Sequence, residues 1–188
     1  MSRVLFIRHA ETEMAGRFCG HSDPDLNAQG RMQLASLVDL LSAEPLDGVY
    51  SSDLVRARST AHAIAAAHDV PLELRPALRE CYFGQWEGLR WEQIEQMDPE
   101  YARRWMAEYP YLPAPAGESF RAFEARVLGD VNSLLDNNRG PIAVVAHAGV
   151  LRVVLQHLCG CSDAEAWQQT QSYCCVVRYE FEAIGEKK

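Results

Sequence analysis

Short, wholly apolar segments alternate along this chain with longer segments whose apolar residues recur at helical spacing. Residues 4–7 and 142–146 contain no polar side chain, which is typical of strands buried on both faces of a sheet. Residues 48–51, 72–74 and 174–181 are the other predicted strands. The alternation predicts an α/β fold with a largely parallel sheet.

The predicted helices occupy the intervals between these strands. One helix is expected to begin after Asn27, a suitable N-cap, and others cover residues 53–68, 118–135 and 150–158. Each of these segments carries apolar residues three or four positions apart, so each is expected to pack one face against the sheet.

The segment from residue 81 to residue 116 departs from this alternation. It contains Trp86, Trp91 and Trp105 and ends in a proline-rich stretch, so we expect short helices and a loop that form a cap over one sheet edge. Trp86 and Trp91 would either line a wall that faces the substrate or pack beneath the cap. The chain of 188 residues is expected to form one domain, residues 1–188, that includes the cap.

Charge and cysteine spacing argue against several classes of protein. The formal net charge is −8, which disfavours nonspecific binding to nucleic acid or to an anionic membrane. No apolar stretch approaches the roughly 20 residues that cross a bilayer, and the first apolar run is too short for an export signal, so we expect a cytoplasmic protein. The six cysteines form no Cys-x-x-Cys pair and are interpreted as reduced packing residues.

Two predicted strands are followed by a histidine, His9 after the first and His147 after residues 142–146. Since ligands of such sheets bind beyond the carboxyl ends of the strands, this placement indicates a site. Arg8 and Arg56, the latter in the first turn of a predicted helix, supply guanidinium groups that match phosphate oxygens. Glu80 offers a proton donor. A lone histidine beside an arginine is more often structural, so the prediction rests on the combination.

These residues lie in motifs that resemble those of the histidine phosphatase superfamily, also called phosphoglycerate mutase-like, over nearly the whole chain. The motifs are Arg8-His9-Ala10-Glu11-Thr12, Ser51-Ser52-Asp53-Leu54-Val55-Arg56-Ala57, Glu80 with Phe83-Gly84-Gln85-Trp86-Glu87-Gly88, Gly117-Glu118-Ser119 and His147-Ala148-Gly149. Each is weak alone, whereas the ordered set is specific. The resemblance implies a three-layer α/β/α sandwich with a mostly parallel central sheet and a short helical cap. It also implies a small phosphorylated metabolite as substrate, with neither metal nor cofactor.

The resemblance assigns a role to each residue of the predicted site. His9 would attack phosphorus and become a phosphohistidine. Arg8, Arg56 and His147 would surround the phosphoryl oxygens and stabilise charge in the transition state. Glu80 would protonate the leaving alkoxide and then help to deprotonate the attacking water.

Further substrate contacts are expected from three small residues. Cys19 and Gly20 would offer backbone N–H groups, as the corresponding loop of the family does, and Ala148 would contribute next to His147. Glu118 has two interpretations that stay open. It would either place a favourable negative charge at a helix N-terminus or form part of the rim of the site.

Two positions depart from the pattern of the family. Ala10 replaces the glycine that usually follows the nucleophile, so this residue must adopt ordinary backbone angles. Ala15 stands where many members have an asparagine that binds phosphate. Its absence removes one hydrogen bond, which is worth roughly 1.5–3 kcal/mol if it was made to a charged group. We expect both changes to affect the rate of catalysis and not the fold.

The cap is shorter than the insertion of phosphoglycerate mutases, which shields the phosphoenzyme from water, so hydrolysis is favoured. Residues 83–88, 115–120 and 167–181 are most similar to α-ribazole phosphatases, which act in assembly of the cobalamin nucleotide loop. Broad-specificity phosphatases of the superfamily share nearly all of these motifs. A mutase-type isomerase and a catalytically impaired phosphate-binding module are the remaining alternatives, and the oligomeric state stays open.

Overall fold

One five-stranded sheet lies at the centre of the protein, whose structure is a computed structural model that describes residues 2–181. The strands are β1 (Ser2–Arg8), β2 (Gly48–Ser51), β3 (Leu72–Leu74), β4 (Ile142–Ala146) and β5 (Val176–Phe181). They lie in the order β3-β2-β4-β1-β5. Neighbouring strands among β1 to β4 are parallel, and β5 pairs antiparallel with β1. The predicted mostly parallel sheet is therefore confirmed.

Helices cover both faces of the sheet. The described residues form α1 (Ala28–Leu41), α2 (Val55–His68), α3 (Trp91–Met97), α4 (Pro99–Glu108), α5 (Phe120–Asn137), α6 (Ala148–Cys159) and α7 (Asp163–Thr170). The buried side chains of α1 and α2 form one apolar cluster with the sheet, and those of α5 and α6 form another on the opposite face. This arrangement is the three-layer α/β/α sandwich that the resemblance implies.

The side chains of β1 explain why its sequence is continuously apolar. Val4 and Phe6 belong to the cluster with α5 and α6, whereas Leu5 and Ile7 belong to the cluster with α1 and α2. All four are at most 1% exposed. Burying each such side chain contributes about 1.5–3 kcal/mol, so the strand is held from both sides and its carboxyl end is fixed.

The cap consists of α3, α4 and a 3₁₀ turn at Gly84–Trp86. Trp86 is 4% exposed and packs with Ile94 and Ala102 in a third apolar cluster. The cap thus has its own small core. Of the two interpretations left open for Trp86, packing beneath the cap is the one observed.

Several element boundaries differ from the sequence predictions. Helix α5 begins at Phe120 and not at Glu118, because the Ser119 side chain accepts a hydrogen bond from the N–H of Ala122 and so forms the N-cap. Strand β5 begins at Val176 and not at Cys174, since Cys174 has a φ of 57°, which interrupts extended backbone. Helix α7 was not predicted. The predicted extent of the domain, 1–188, includes residues 1 and 182–188, which lie outside the described residues.

No helix within residues 2–181 is long and apolar enough to cross a membrane. The six cysteines are free thiols, and Cys159 is the exposed one. Burial raises the pKa of Cys19 to about 11 and of Cys81 to about 12, so both are protonated thiols at neutral pH.

Candidate active site

His9 and His147 follow the neighbouring strands β1 and β4, and their side chains meet. The backbone N–H of His9 donates to the backbone carbonyl of Ala146 at 3.0 Å, which continues the hydrogen-bond ladder between the two strands. The imidazole centroids are 5.0 Å apart with an interplanar angle of 62°. Both side chains are buried. Parallel pairing of β1 and β4 therefore brings together two histidines that are 138 positions apart in the chain.

The hydrogen bond of His9 determines its tautomer. Nδ1 lies 2.7 Å from the carbonyl oxygen of Ala10, and because a carbonyl accepts and does not donate, the proton is on Nδ1. The other ring nitrogen, Nε2, then presents its lone pair. Burial, followed by the nearby Arg56 guanidinium, lowers the pKa of His9 well below its ordinary value. The imidazole is therefore neutral and nucleophilic at neutral pH.

Arg56 is 1% exposed, and its guanidinium is fixed by backbone carbonyls. It donates to Cys19 at 3.2 Å, to Gly20 at 2.7 Å and to Ser22 at 2.7 Å. Its Nε lies 3.3 Å from Nε2 of His9. The predicted position of Arg56, in the first turn of α2, is confirmed.

Arg8 is held by the C-terminal end of α7 and the residues that follow it. Its guanidinium donates to the carbonyl of Thr170 at 2.9 Å and also to that of Gln171. The same group lies 4.0 Å from the ring centroid of Tyr173, a cation–π contact. Its Nε is buried without a hydrogen-bond partner among the described residues.

His147 is fixed through the residue that follows β2. Its Nε2 lies 2.9 Å from the hydroxyl of Ser52, and that hydroxyl accepts a hydrogen bond from the N–H of Leu54. If the Ser52 hydroxyl donates to Nε2, the proton of His147 is on Nδ1. In residues 2–181, Nδ1 has no partner. Burial, then Arg56 and His9, lower the pKa of His147 well below its ordinary value.

Glu80 is held between the cap and the N-terminus of α6. Its carboxylate accepts from the N–H of Cys81 at 2.9 Å and from the N–H of Gly149 at 2.9 Å. A Cβ at position 149 would lie 2.2 Å from this carboxylate, so a larger residue there would displace the carboxylate from this position. Glu80 is 8% exposed and lines the same cavity as His9.

A cavity of about 660 Å³ extends from His9 and Glu80 to the cap. Its outer wall is aromatic and is formed by Phe18, Phe83, Trp91, Trp105, Tyr109, Phe120 and Trp167. Trp91 thus lines the cavity, in contrast to Trp86, which the cavity does not reach. The inner end is polar and the outer wall is apolar, as in a site for a phosphate ester with an organic group.

Arg152 also lines this cavity. Its guanidinium lies 3.9 Å from the ring centroid of Trp167, and its Nε donates to the hydroxyl of Thr170 at 3.1 Å. Within the described part of the chain, no carboxylate lies within 4.0 Å of this group. A cation of this kind on a cavity wall is suited to an anionic or hydroxyl-bearing ligand.

The three predicted substrate contacts have different surroundings. Cys19 and Ala148 line the cavity. Gly20 is not among the residues that line it, and its contact with substrate stays a prediction. Its N–H donates to Glu87 at 3.1 Å and its carbonyl accepts from Arg56, so its backbone groups are already engaged.

Ala10 and Glu118 can also be placed. Ala10 has no positive φ and is completely buried, so it fits ordinary backbone angles as expected. The Glu118 carboxylate accepts two hydrogen bonds of 2.8 Å from Arg126 and also lines the cavity. Of its two interpretations, a position at the rim matches the structure, since α5 begins only at Phe120.

Four residues near the site were missed by the sequence predictions: Glu87, Arg152, Trp167 and Tyr173. Arg152 could have been found, because it lies four positions after Ala148 and hence on the same face of a helix. Tyr173 lies in a segment without periodicity, and no sequence signal marks it. Among residues 2–181, no group of three or more His, Cys, Asp or Glu side chains could hold a metal ion.

Comparisons with known proteins identify the family of this chain. The sequence model of the histidine phosphatase superfamily (branch 1) matches residues 4–187. The adenosylcobalamin/alpha-ribazole phosphatase of Salmonella typhimurium (strain LT2) is 33% identical over 168 residues, which cover 88% of this chain and 83% of the relative. Phosphoserine phosphatase 1 of Hydrogenobacter thermophilus is 32% identical over 170 residues, which cover 89% and 81%.

The fold has a similar counterpart among solved structures. The alpha-ribazole phosphatase from Shigella flexneri has a TM-score of 0.86 at 28% identity, over 99% of this chain and 100% of that chain. Relatives of nearly equal identity are named for two different substrates. The comparisons therefore define the class of enzyme and leave more than one substrate to consider.

Proposed function

Because this chain belongs to the histidine phosphatase superfamily (branch 1) and is a phosphoric monoester hydrolase, we propose that it works through a phosphohistidine at Nε2 of His9. One observation carries the proposal: Nε2 of a buried, neutral His9 presents its lone pair beside the guanidinium of Arg56. A neutral imidazole is the form that can attack phosphorus.

In the proposed first step, Nε2 of His9 forms a bond to phosphorus while the bond from phosphorus to the ester oxygen breaks. The leaving oxygen takes a proton from the carboxyl group of Glu80, because an alkoxide is a poor leaving group. In the second step, Glu80 accepts a proton from water as its oxygen attacks the phosphohistidine. Inorganic phosphate and free His9 are the products.

Three cationic or N–H groups support the proposed binding of the phosphoryl oxygens. The free nitrogens of Arg8 (Nε) and His147 (Nδ1) are buried, and buried donors normally have acceptors. Phosphoryl oxygens would accept from both, and Arg56 would move its contact from Nε2 of His9 to an oxygen. Donors fixed in advance stabilise the charge that develops in the transition state.

We propose α-ribazole 5′-phosphate as the substrate class, that is, a ribose phosphate that carries a flat aromatic base. The aromatic outer wall of the cavity supports this proposal, since flat rings pack well against Trp91 and Trp105. The similarity to alpha-ribazole phosphatases supports it independently.

Phosphoserine is the second candidate, and a specific contact favours it. The guanidinium of Arg152 lines the cavity without a carboxylate partner among residues 2–181 and could bind the carboxylate of phosphoserine. The relative from Hydrogenobacter thermophilus is named phosphoserine phosphatase 1. The cavity, with its large aromatic surface, is larger than a substrate as compact as phosphoserine requires.

The test measures phosphate release from α-ribazole 5′-phosphate, phosphoserine and p-nitrophenyl phosphate, with EDTA and without added metal. We expect the highest kcat/KM for α-ribazole 5′-phosphate, and a higher kcat/KM for phosphoserine would overturn that assignment. A mutase would instead interconvert phosphoglycerates with a bisphosphoglycerate primer and release little phosphate. Quenching in alkaline detergent with ³²P-labelled substrate should trap a phosphoenzyme that is stable in alkali and labile in acid in the wild type, and none in His9→Ala.

A further inference from the structure

The carboxylate of Glu87 accepts five hydrogen bonds. Four come from the backbone N–H groups of Gly20, His21, Ser22 and Phe83, at 3.0 to 3.1 Å, and the fifth comes from the Ser22 hydroxyl at 2.6 Å. Three of the N–H groups are consecutive. Residues 20–22 therefore form a turn, called here the Arg56 turn, that is wrapped around one carboxylate.

The carbonyl groups of the same segment bind Arg56. The peptide group between Cys19 and Gly20 accepts from Arg56 through its C=O at 3.2 Å and donates to Glu87 through its N–H at 3.1 Å. The next peptide group does the same, with 2.7 Å to Arg56 and 3.0 Å to Glu87 through the N–H of His21. Two successive peptide groups thus lie between an anion and a cation.

Opposite charges at the two ends of a peptide group polarise it in the same sense, so each hydrogen bond strengthens the other. Burial opposes ionisation of Glu87, but hydrogen bonds from Ser22, Phe83 and His21 outweigh it and hold the pKa of Glu87 below its ordinary value. Glu87 is therefore an anion at neutral pH. Its charge reaches Arg56 through the backbone of the turn.

There is no spare volume between the turn and Glu87. A Cβ at Gly20 would lie 2.4 Å from the Glu87 carboxylate and 2.1 Å from the carbonyl of Cys81. The backbone of the turn thus packs directly against Glu87 and Cys81, and its carbonyls face the guanidinium on the other side. The Nε of Arg56 is in turn directed at Nε2 of His9.

We propose that Glu87 is a positioning residue that orients the Arg56 guanidinium toward the phosphoryl group through the Arg56 turn. This inference rests on the proposed function, because it requires Arg56 to bind the phosphoryl oxygens. In this role Glu87 does more than attach the cap. A purely structural role for Glu87 would not change phosphate binding through Arg56.

The test is a double-mutant cycle of Glu87→Gln and Arg56→Ala, read out as inhibition by orthovanadate. Glutamine keeps the shape but turns an –NH₂ group toward the N–H donors of the turn. We expect Glu87→Gln to weaken orthovanadate inhibition about tenfold when it is made in the wild-type background. In the Arg56→Ala background the same substitution should weaken inhibition less than about twofold. The variant should lower kcat more than it raises KM, because oriented charge acts most in the transition state.

Asp130→Asn is the matched control. It also removes a carboxylate, one that pairs with Arg75 at 2.6 Å, but outside the site. We expect it to lower Tm and to leave orthovanadate inhibition unchanged. If Glu87→Gln folds poorly, Ser22→Ala removes only the 2.6 Å hydroxyl bond to Glu87 and should weaken inhibition about threefold.

Two results overturn the inference while leaving the proposed function intact. One is unchanged inhibition in Glu87→Gln or, where that variant folds poorly, in Ser22→Ala, while Arg56→Ala weakens inhibition. The other is an equal loss from Glu87→Gln with and without Arg56. Unchanged inhibition in Arg56→Ala itself would instead contradict the proposed function, and the role of Glu87 with it.

Discussion

The Nε of Arg56 lies 3.3 Å from Nε2 of His9, so a fixed cation is in contact with the lone pair of the proposed nucleophile. This contact opposes protonation of the imidazole, since a second positive charge at Nε2 would face the guanidinium. It also places the cation where phosphoryl oxygens would arrive. Burial and then Arg56 therefore keep the pKa of the histidine low in the free enzyme, and the same arginine would bind the group that the histidine receives.

His9→Ala should abolish phosphate release, because it removes the nitrogen that forms the covalent intermediate. We expect a loss of about 10³-fold or more in kcat with p-nitrophenyl phosphate. His62→Ala, which changes an exposed histidine on α2, is the control and should retain full activity. Equal activity of wild type and His9→Ala would exclude the mechanism.

Glu80→Gln should slow hydrolysis of alkyl phosphates more than that of aryl phosphates. An alkoxide requires a proton as it leaves, whereas a phenolate leaves with less protonation. We expect about a 10²-fold loss with an alkyl phosphate and less than about tenfold with p-nitrophenyl phosphate. The measurement is kcat for both substrates with both enzymes, and equal losses would remove Glu80 as the acid.

Arg56→Ala should move the acid limb of the kcat/KM profile to higher pH. Burial and then Arg56 lower the pKa of His9, so removing the cation raises it and protonates the nucleophile at higher pH. The profile is measured from pH 4.5 to pH 8 with one substrate. Ionisation of that substrate affects both enzymes equally, so the difference between the two midpoints reports on the enzyme. Identical midpoints in the two enzymes would show that Arg56 does not lower the pKa of His9.

Stability should fall as the pH falls below about 6.5, the ordinary pKa of histidine. His9 and His147 are neutral in the folded protein because their pKa values are lowered, whereas in the unfolded chain they bind protons. Each can reduce the free energy of unfolding by up to about 1.4 kcal/mol per pH unit in this range. Urea denaturation at pH 6.5 and 5.5 measures the slope, and His147→Gln should reduce it. Stability independent of pH in this interval would count against the burial of neutral histidines.

Arg152→Met should separate the two candidate substrates. Loss of the guanidinium removes a partner for a carboxylate but leaves an apolar side chain beside Trp167. We expect kcat/KM for phosphoserine to fall about tenfold and that for α-ribazole 5′-phosphate to fall less than about threefold. Equal losses would show that Arg152 does not discriminate between them.

The sequence alone predicted the sheet, most of the helices and the residues that stand at the strand ends. Residues 4–7 and 142–146 are apolar throughout because both faces of β1 and β4 are covered, and this is a local property of the sequence. Helix α7 was missed because only Ala166 and Thr170 are buried on it, so it has no apolar stripe. Its capping box, Ser162 with Glu165, was the available signal.

The contacts that orient the site were decided only by the tertiary structure. Arg8 binds the carbonyl of Thr170, 162 positions away, and Glu87 binds the N–H of Gly20, 67 positions away. These bonds involve backbone groups, which every residue carries, so no residue type marks them in advance. The sequence by itself determined which side chains are present at the strand ends. Chain packing decided which backbone groups hold them, and with that the direction in which Arg56 faces His9.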